Sequence, residues 1–123
     1  MSKLIAIDFD ETITDHSPYP IMGPIRPCAE FYIKKLYEKG YTLALWTCRS
    51  GAYLEQAEFA LETAGIRECF KYINDDGRPG THRKIIADFY IDDRSCIGEI
   101  NWKDIYDYIL LNYPLEENSG REY

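Results

Sequence analysis

Short apolar runs alternate along the chain with longer segments in which apolar residues recur at helical spacing. The runs lie at Lys3 to Phe9, Tyr41 to Trp46, Lys71 to Ile73 and Phe89 to Ile91. The first two are nearly continuous apolar runs, which are typical of strands buried on both faces of a parallel sheet, and the last two are shorter runs that also suit strands. Four strands are therefore predicted.

Three helices are predicted between and after these strands. The first begins at Pro27, which suits a first helical turn, and stops at Gly40, which can adopt a left-handed conformation. The second stops at Gly65 and has one apolar face, formed by Leu54, Ala57, Leu61 and Ala64. The third follows Asn101, a suitable N-cap, and presents Trp102, Ile105, Tyr106 and Ile109 on one face.

Three other segments lack such a pattern. Thr12 to Arg26 is predicted to be a loop because of its helix and strand breakers, which are Pro18, Pro20, Gly23 and Pro24. Asn74 to His82 is rich in turn residues, and Glu116 to Tyr123 is a polar tail that we expect to be frayed.

Strands that alternate with helices favour right-handed crossovers and a mostly parallel sheet with helices on both faces. The expected fold is therefore a three-layer, Rossmann-like α/β fold. A chain of 123 residues has the length of one domain, spanning residues 1–123. In such sheets the ligand lies in the crevice at the carboxyl ends of the strands.

Composition narrows the classes of partner. The hydrophobic fraction of 46% is that of a globular protein, and the net charge of −7 argues against an extended nucleic-acid surface, although not against a phosphorylated nucleic-acid end. No apolar run is long enough to cross a membrane and no signal peptide is recognisable, so we expect a cytoplasmic protein with no membrane partner. The four scattered cysteines are expected to be reduced thiols that pack as small hydrophobic residues.

Polar side chains follow the predicted strands at one edge of the sheet. Asp8 and Asp10 end the first strand, Thr47 follows the second, and Asp92 and Asp93 follow the last. A spacing of two residues on an extended chain returns to the same face, so Asp8 and Asp10 can both reach one ligand.

This set suits hydrolysis of a phosphate monoester through a covalent intermediate, which needs a carboxylate nucleophile, a proton donor, a divalent cation and fixed positive charge. Asp8 fits the nucleophile and Asp10 the acid that protonates the leaving group. Mg²⁺ would be held by carboxylate oxygens of Asp8 and Asp92 and the main-chain carbonyl of Asp10, with Asp93 in support. Thr47 and Lys84 would bind the phosphate oxygens.

The ordered set resembles the haloacid dehalogenase superfamily. The residues that carry the likeness are IAIDFDET (Ile5 to Thr12), LALWT (Leu43 to Thr47), Lys84 and YIDD (Tyr90 to Asp93). The resemblance implies the superfamily's fold and an aspartyl-phosphate intermediate, and it assigns the same roles to Asp8, Asp10, Thr47, Lys84, Asp92 and Asp93. Among its members, small capless proteins of bacteria and phages look most similar.

The sequence departs from the family pattern in two places. Glu11 stands where the family usually has glycine. Lys84 lies eight positions before Asp92, which leaves no room for the helix that normally separates these motifs. Lys71 is a rival for the lysine role, but it begins its strand and should lie at the far edge of the sheet.

Several alternatives stay open at this point. Arg49 either binds a second anionic group of the substrate or is a surface residue paired with a carboxylate, and Asn74 either touches substrate or does not. The predicted site lacks a cap domain, so the substrate is either a bulky phosphorylated molecule, such as a nucleic-acid end, or a small one, such as a nucleotide, enclosed by a second subunit of a homo-oligomer. The stretch IDDR, which ends at Arg94, also resembles that of deoxyribonucleotidases and of the phosphatase half of polynucleotide kinase.

Two other classes of function compete with a phosphatase. A receiver-like phospho-acceptor module also uses clustered Asp, Thr and Lys side chains on a parallel sheet, but it carries its acceptor Asp on the third strand, where this chain has Asn74. A catalytically silent binding protein of the same superfamily is the other alternative.

Overall fold

The computed structural model describes residues 3–79, 85–93 and 100–115 of the chain. Their strands form one parallel sheet in the order β3-β2-β1-β4. The strands are β1 (Leu4–Asp8), β2 (Thr42–Trp46), β3 (Phe70–Ile73) and β4 (Phe89–Ile91). Since β1 and β2 are the inner strands and Asp8 is paired in register with Trp46, their carboxyl ends lie side by side.

The helices are α1 (Pro27–Lys39), α2 (Gly51–Thr63) and α3 (Trp102–Asn112), and a short 3-10 turn (Arg67–Cys69) precedes β3. Two of the predicted helix ends are confirmed in detail. Gly40 ends α1 with a left-handed φ of 107°, and the Asn101 side chain caps α3 by accepting a hydrogen bond of 3.0 Å from the backbone N–H of Asp104. The four strands and three helices predicted from the hydrophobic pattern are all present, and so is the α/β class with a parallel sheet.

One face of the sheet forms the main core. Its inward side chains pack with apolar residues from all three helices, and the strand residues among them include Ile5, Ile7, Leu43, Leu45 and Ile91. Helices α1 and α3 also contact each other. This core fixes the carboxyl ends of β1, β2 and β4 relative to one another.

The other face of the sheet is covered differently. Ala6 and Ala44 are fully buried there against Ile85, which lies in the connection between β3 and β4. The Tyr90 hydroxyl holds this connection, because it donates to the Ile85 carbonyl at 2.8 Å and accepts from the Ala87 N–H at 3.1 Å. Where described, at residues 74–79 and 85–88, this connection contains no helix. The small alanine side chains let the extended segment lie close to the sheet.

The turn-rich segment after β3 is organised by two aspartates. Asp75 Oδ1 accepts hydrogen bonds from the N–H groups of Asp76 and Gly77, at 2.7 and 3.1 Å. The carboxylate of Asp76 accepts hydrogen bonds from the backbone N–H groups of Arg78 and Ile86, at 3.0 and 2.8 Å. Asp76 thus ties the two described parts of the β3-to-β4 connection together.

A pH dependence of stability follows from Asp76. Its hydrogen bonds, first the one from Ile86, lower the pKa of Asp76 from 3.8 to about 2. A lowered pKa means that the native state favours the carboxylate, so the stabilisation is present above about pH 4 and is lost as the pH falls through about 2. When acid denaturation is followed by circular dichroism, the stability of Asp76→Asn should therefore fall less steeply than that of the wild type between about pH 4 and about pH 2. An identical profile for the variant and the wild type would contradict this assignment.

Three cysteines lie in the part of the chain that the structure describes. Cys28, Cys48 and Cys69 are all free thiols, as predicted. Only Cys69 is buried, whereas Cys28 and Cys48 are exposed, so the expectation that they pack as small hydrophobic residues is wrong for these two. Cys28 lies in the first turn of α1, and Cys48 lies in the loop after β2. Cys96 lies outside the described residues. Within those residues, no helix has the length and apolar character needed to cross a membrane.

Candidate active site

Three carboxylates meet at the carboxyl ends of β1 and β4. One oxygen from each of Asp8, Asp92 and Asp93 lies within 4.8 Å of the others. The two strands are neighbours in the sheet, so the residues that end them are brought together by the parallel pairing. A cavity of about 260 Å³ opens beside them and is lined by Asp8, Trp46, Thr47, Cys48 and Asp92.

A larger cavity of about 540 Å³ lies along the outer side of β4 and is bounded by aromatic side chains of α3 and the residues after it. Its lining includes Phe89, Tyr108 and Tyr113, whose rings pack against one another. Of the carboxylates in the acidic cluster it reaches only Asp92, and Thr47 does not line it. The smaller cavity is therefore the better candidate for a phosphate site.

Burial and mutual repulsion disfavour the ionised form of the carboxylates in the acidic cluster. Burial, and then the charge of Asp92 and that of Asp93, raise the pKa of Asp8 to about 7, although hydrogen bonds from Phe9 and Thr12 act in the opposite direction. Burial and the adjacent Asp92 also raise the pKa of Asp93. Closely spaced carboxylates are stabilised in the ionised form when a cation lies between them. All three offer hard oxygen ligands, so the donor set fits Mg²⁺.

Thr12 connects two members of the cluster and was not among the predicted site residues. Its fully buried hydroxyl lies 3.3 Å from both Asp8 Oδ2 and Asp93 Oδ1, and it accepts a 3.0 Å hydrogen bond from the Asp93 N–H. One hydroxyl proton can serve only one carboxylate at a time. The Thr12 carbonyl in turn accepts a 3.0 Å hydrogen bond from the buried indole of Trp102, which anchors the cluster to α3.

Asp10 does not join the side-chain cluster of Asp8, Asp92 and Asp93. Its two carboxylate oxygens accept hydrogen bonds from Arg49, at 2.8 Å from Nε and 2.6 Å from Nη2. The two hydrogen-bonded groups face each other in a bidentate ion pair, and this pairing raises the pKa of Arg49. A carboxylate in this geometry acts as an acceptor. The structure therefore separates the two aspartates that the two-residue spacing was expected to place on one ligand.

The ion pair with Asp10 bears on both alternatives for Arg49, a substrate ligand or a surface residue paired with a carboxylate. Its side chain is fully buried, so the idea of a surface residue is wrong, while the idea of pairing with a carboxylate is confirmed with Asp10 as the partner. In this conformation the guanidinium does not line the cavity, and direct binding of a substrate anion by Arg49 is not supported. The physical reason is that the loop after β1 folds over Arg49 and encloses it.

Thr47 lies in the cavity as predicted, and Asn74 holds its backbone. The Thr47 N–H donates a 2.8 Å hydrogen bond to Asn74 Oδ1, and the Thr47 hydroxyl accepts a 3.1 Å hydrogen bond from the Arg49 N–H. Asn74 follows β3 directly and has a left-handed φ of 52°, a conformation that asparagine tolerates better than most residues. Asn74 therefore orients the loop that carries Thr47.

Lys84, the residue predicted to bind the phosphate, lies outside the described residues, as do His82 and Arg94. Lys71 is the second residue of β3 and is exposed, with its Nζ 5.6 Å from the centre of the Tyr72 ring. It precedes the carboxyl end of its strand, as predicted. His16 is exposed, and its ring contacts the carboxylate of Glu11 at the margin of the site.

Fold and site together define an α/β protein with a Rossmann-like parallel sheet and an acidic crevice at the strand ends. A solved structure of a conserved protein from Bacteroides thetaiotaomicron is similar to this chain over 94% of either chain, with 33% sequence identity and a TM-score of 0.76. This chain belongs to the same family as that conserved protein. No family model matches the chain, and a search of curated proteins found no match.

Proposed function

We propose that this protein is a Mg²⁺-dependent phosphohydrolase of the haloacid dehalogenase type, in which Asp8 forms a transient aspartyl-phosphate. The observation that carries the proposal is the position of Asp8, a partly buried carboxylate at the carboxyl end of an inner strand, grouped with Asp92 and Asp93 and sharing a cavity with Thr47. The ordered motifs of the sequence support the same assignment.

In the first step an oxygen of Asp8 attacks the phosphorus atom, and the bond from phosphorus to the leaving oxygen breaks. The leaving oxygen takes up a proton, for which Asp10 is the proposed donor. In the second step water attacks the aspartyl-phosphate, its proton passes to the Asp10 carboxylate, the bond from phosphorus to Asp8 breaks, and inorganic phosphate is released. The hydroxyl and N–H groups around Thr47 would bind the phosphate oxygens during both steps.

The residues that would hold Mg²⁺ are Asp8 and Asp92, with the main-chain carbonyl of Asp10 as a third ligand and Asp93 orienting the others. When bound, the cation would neutralise charge on the phosphate and keep Asp8 ionised. The Thr12 hydroxyl supports this arrangement because it can donate to Asp8 or to Asp93 without adding charge.

For the substrate we propose a phosphate monoester of a nucleotide or of a nucleic-acid end, and for the location the cytoplasm. Among the described residues, the segment that could cover the site is the loop after β1, which is too short to form a domain. The cavity is correspondingly open to large phosphorylated molecules. Phosphatase assays with nucleotides and with 3'- or 5'-phosphorylated oligonucleotides would separate these substrates.

The experiment that tests the proposed function is a search for the intermediate. The protein is mixed with an aryl phosphate and Mg²⁺, quenched in acid within the first turnovers, digested and analysed by mass spectrometry. We expect steady release of inorganic phosphate and a phosphoryl group on the peptide that contains Asp8. The absence of both turnover and labelling would favour a catalytically silent binding protein, whereas stable labelling without turnover would favour a phospho-acceptor module.

Lys84 is predicted to supply fixed positive charge to the phosphoryl group. Lys84→Ala should lower kcat/KM with an aryl phosphate by about 30- to 1000-fold, equivalent to about 2 to 4 kcal/mol of transition-state stabilisation. Lys71→Ala is the matched control and should be nearly normal, because Lys71 lies before the carboxyl end of β3. If Lys71→Ala were the impaired variant, the third motif would have to be reassigned.

A further inference from the structure

We propose that Arg49 is a positioning residue for Asp10, and that it holds the Asp10 carboxylate as the acceptor that activates water in the second step of the reaction. The inference rests on the proposed function. The motifs that suggested that function assign no role to Arg49.

The pair between Arg49 and Asp10 is enclosed on the arginine side only. The Arg49 side chain is 0% exposed and that of Asp10 is 24% exposed, so the ion pair is shielded on the arginine side and open to water on the carboxylate side. Arg49 Nη1 is buried and finds no acceptor among the described residues. The two short hydrogen bonds of the buried guanidinium thus go to Asp10, in the bidentate geometry that fixes a carboxylate most firmly.

Two aromatic rings fix the plane of the guanidinium. The Arg49 carbon Cζ lies 5.5 Å from the ring centre of Phe9 and 5.3 Å from that of Tyr19. Arg49 Nη2 also donates a 3.1 Å hydrogen bond to the carbonyl of Pro20. Cation–π contacts and a third hydrogen bond leave the side chain little freedom, so the direction of the Asp10 carboxylate is set by Arg49.

Tyr19 and Pro20 belong to a flap, defined as residues 15–24. The flap is closed at its base by hydrogen bonds from the Asp15 N–H to the Pro24 carbonyl, at 2.8 Å, and from the Arg26 N–H to the Ile13 carbonyl, at 2.9 Å. The base is tight, since a Cβ atom on Gly23 would lie 2.3 Å from the Asp15 carbonyl oxygen. The flap therefore places Tyr19 and Pro20 in contact with Arg49, and Arg49 in turn holds Asp10.

The paired geometry corresponds to one stage of the proposed reaction. After the first step Asp10 has given its proton to the leaving oxygen and is a carboxylate. In the second step the water oxygen forms a bond to phosphorus, the Asp8 oxygen leaves with its electron pair, and the water proton passes to Asp10. Asp10 thereby regains the proton it gave in the first step. An oriented carboxylate is what this second step needs, and Arg49 provides the orientation.

The test uses p-nitrophenyl phosphate, whose leaving group needs little protonation, so that the second step can be followed separately. Arg49→Met should lower kcat by about 10- to 100-fold and raise the steady-state fraction of phosphorylated Asp8, because the intermediate forms but decays slowly. Arg49→Lys, which keeps the charge but not the bidentate geometry, should fall between Arg49→Met and the wild type. Adding Asp10→Asn to Arg49→Met should cause no further accumulation than Asp10→Asn alone.

Arg67→Met is the matched control, because Arg67 also pairs with a carboxylate, that of Glu58 at 3.2 Å, but lies in the 3-10 turn before the amino end of β3. It should leave kcat and labelling unchanged. If Arg49→Met does not fold, Tyr19→Leu replaces it, since Tyr19 is 54% exposed and can be changed without opening the core. Tyr19→Leu should show the same accumulation to a smaller degree.

The outcomes separate this inference from the proposed function. A wild-type protein that neither turns over the aryl phosphate nor becomes labelled would remove the proposed function. An active, labelled wild type together with a folded Arg49→Met, or the substitute Tyr19→Leu, that shows no accumulation of phosphorylated Asp8 would overturn the role of Arg49 alone.

Discussion

Asp8→Asn should reduce phosphatase turnover by at least about 10⁴-fold, a loss of about 5 kcal/mol in transition-state stabilisation. An amide is a poor nucleophile, and no other carboxylate among the described residues combines the partial burial of Asp8 with its place on an inner strand. The fold should survive, because the substitution removes one negative charge from a group of three that repel each other. Initial rates with an aryl phosphate and thermal unfolding would be measured side by side.

Asp10→Asn gives the comparison that identifies the role of each aspartate. It should retain measurable turnover with aryl phosphates and lose more activity with alkyl phosphates, whose leaving oxygen must be protonated. Near-normal turnover in Asp8→Asn, with any substrate that the wild type hydrolyses, would show that the nucleophile lies elsewhere.

Removal of the metal is expected to have the other large effect. Chelation with EDTA should lower turnover by at least about 1000-fold, and added Mg²⁺ should restore it, because the carboxylates of Asp8, Asp92 and Asp93 would otherwise repel a phosphate dianion. Binding can also be measured without substrate. Mg²⁺ that binds the native state selectively stabilises it by RT ln(1 + [Mg²⁺]/Kd), so the unfolding temperature rises with Mg²⁺ concentration.

Asp92→Asn and Asp75→Asn form the matched pair for this measurement. Asp92 is a member of the acidic cluster, whereas Asp75 is exposed in the turn after β3. The rise in unfolding temperature with Mg²⁺ should shrink in Asp92→Asn and persist in Asp75→Asn. Equal responses of the two variants, or full activity after thorough chelation, would contradict a metal site at the strand ends.

The fold was largely predictable because each element is marked by its own burial pattern. Nearly continuous apolar runs identified the strands, and local signals such as Gly40 and Asn101 fixed helix ends within a residue or two. The convergence of Asp8, Asp92 and Asp93 also followed from the sequence, since parallel pairing brings the strand ends together. The 3-10 turn before β3 carries no such periodic signal and was not predicted.

The connections between site residues were less predictable, because they depend on how loops fold in space. The pair between Arg49 and Asp10 spans 39 positions and needs the flap to enclose it. Thr12 left a weaker local signal. It lies four residues after Asp8, in a tight turn where the Phe9 carbonyl accepts hydrogen bonds from Thr12, Ile13 and Thr14. When a tight turn places a threonine next to an aspartate four residues earlier in the chain, the threonine hydroxyl is a candidate hydrogen-bond donor to that carboxylate.

The two tryptophans of the chain lie in contrasting surroundings, which makes them useful optical probes. Trp102 is 1% exposed within the core, whereas Trp46 is half-buried at the cavity beside Asp8, with its ring 5.2 Å from that of Tyr90. Indole emission depends on local polarity and on nearby quenchers. Because the Trp102 indole also anchors the acidic cluster through Thr12, the contribution of Trp46 is best isolated as the tryptophan emission that Trp46→Phe loses. Occupancy of the cavity by phosphate-bearing molecules could then be followed as a change in that emission, in real time and without any label.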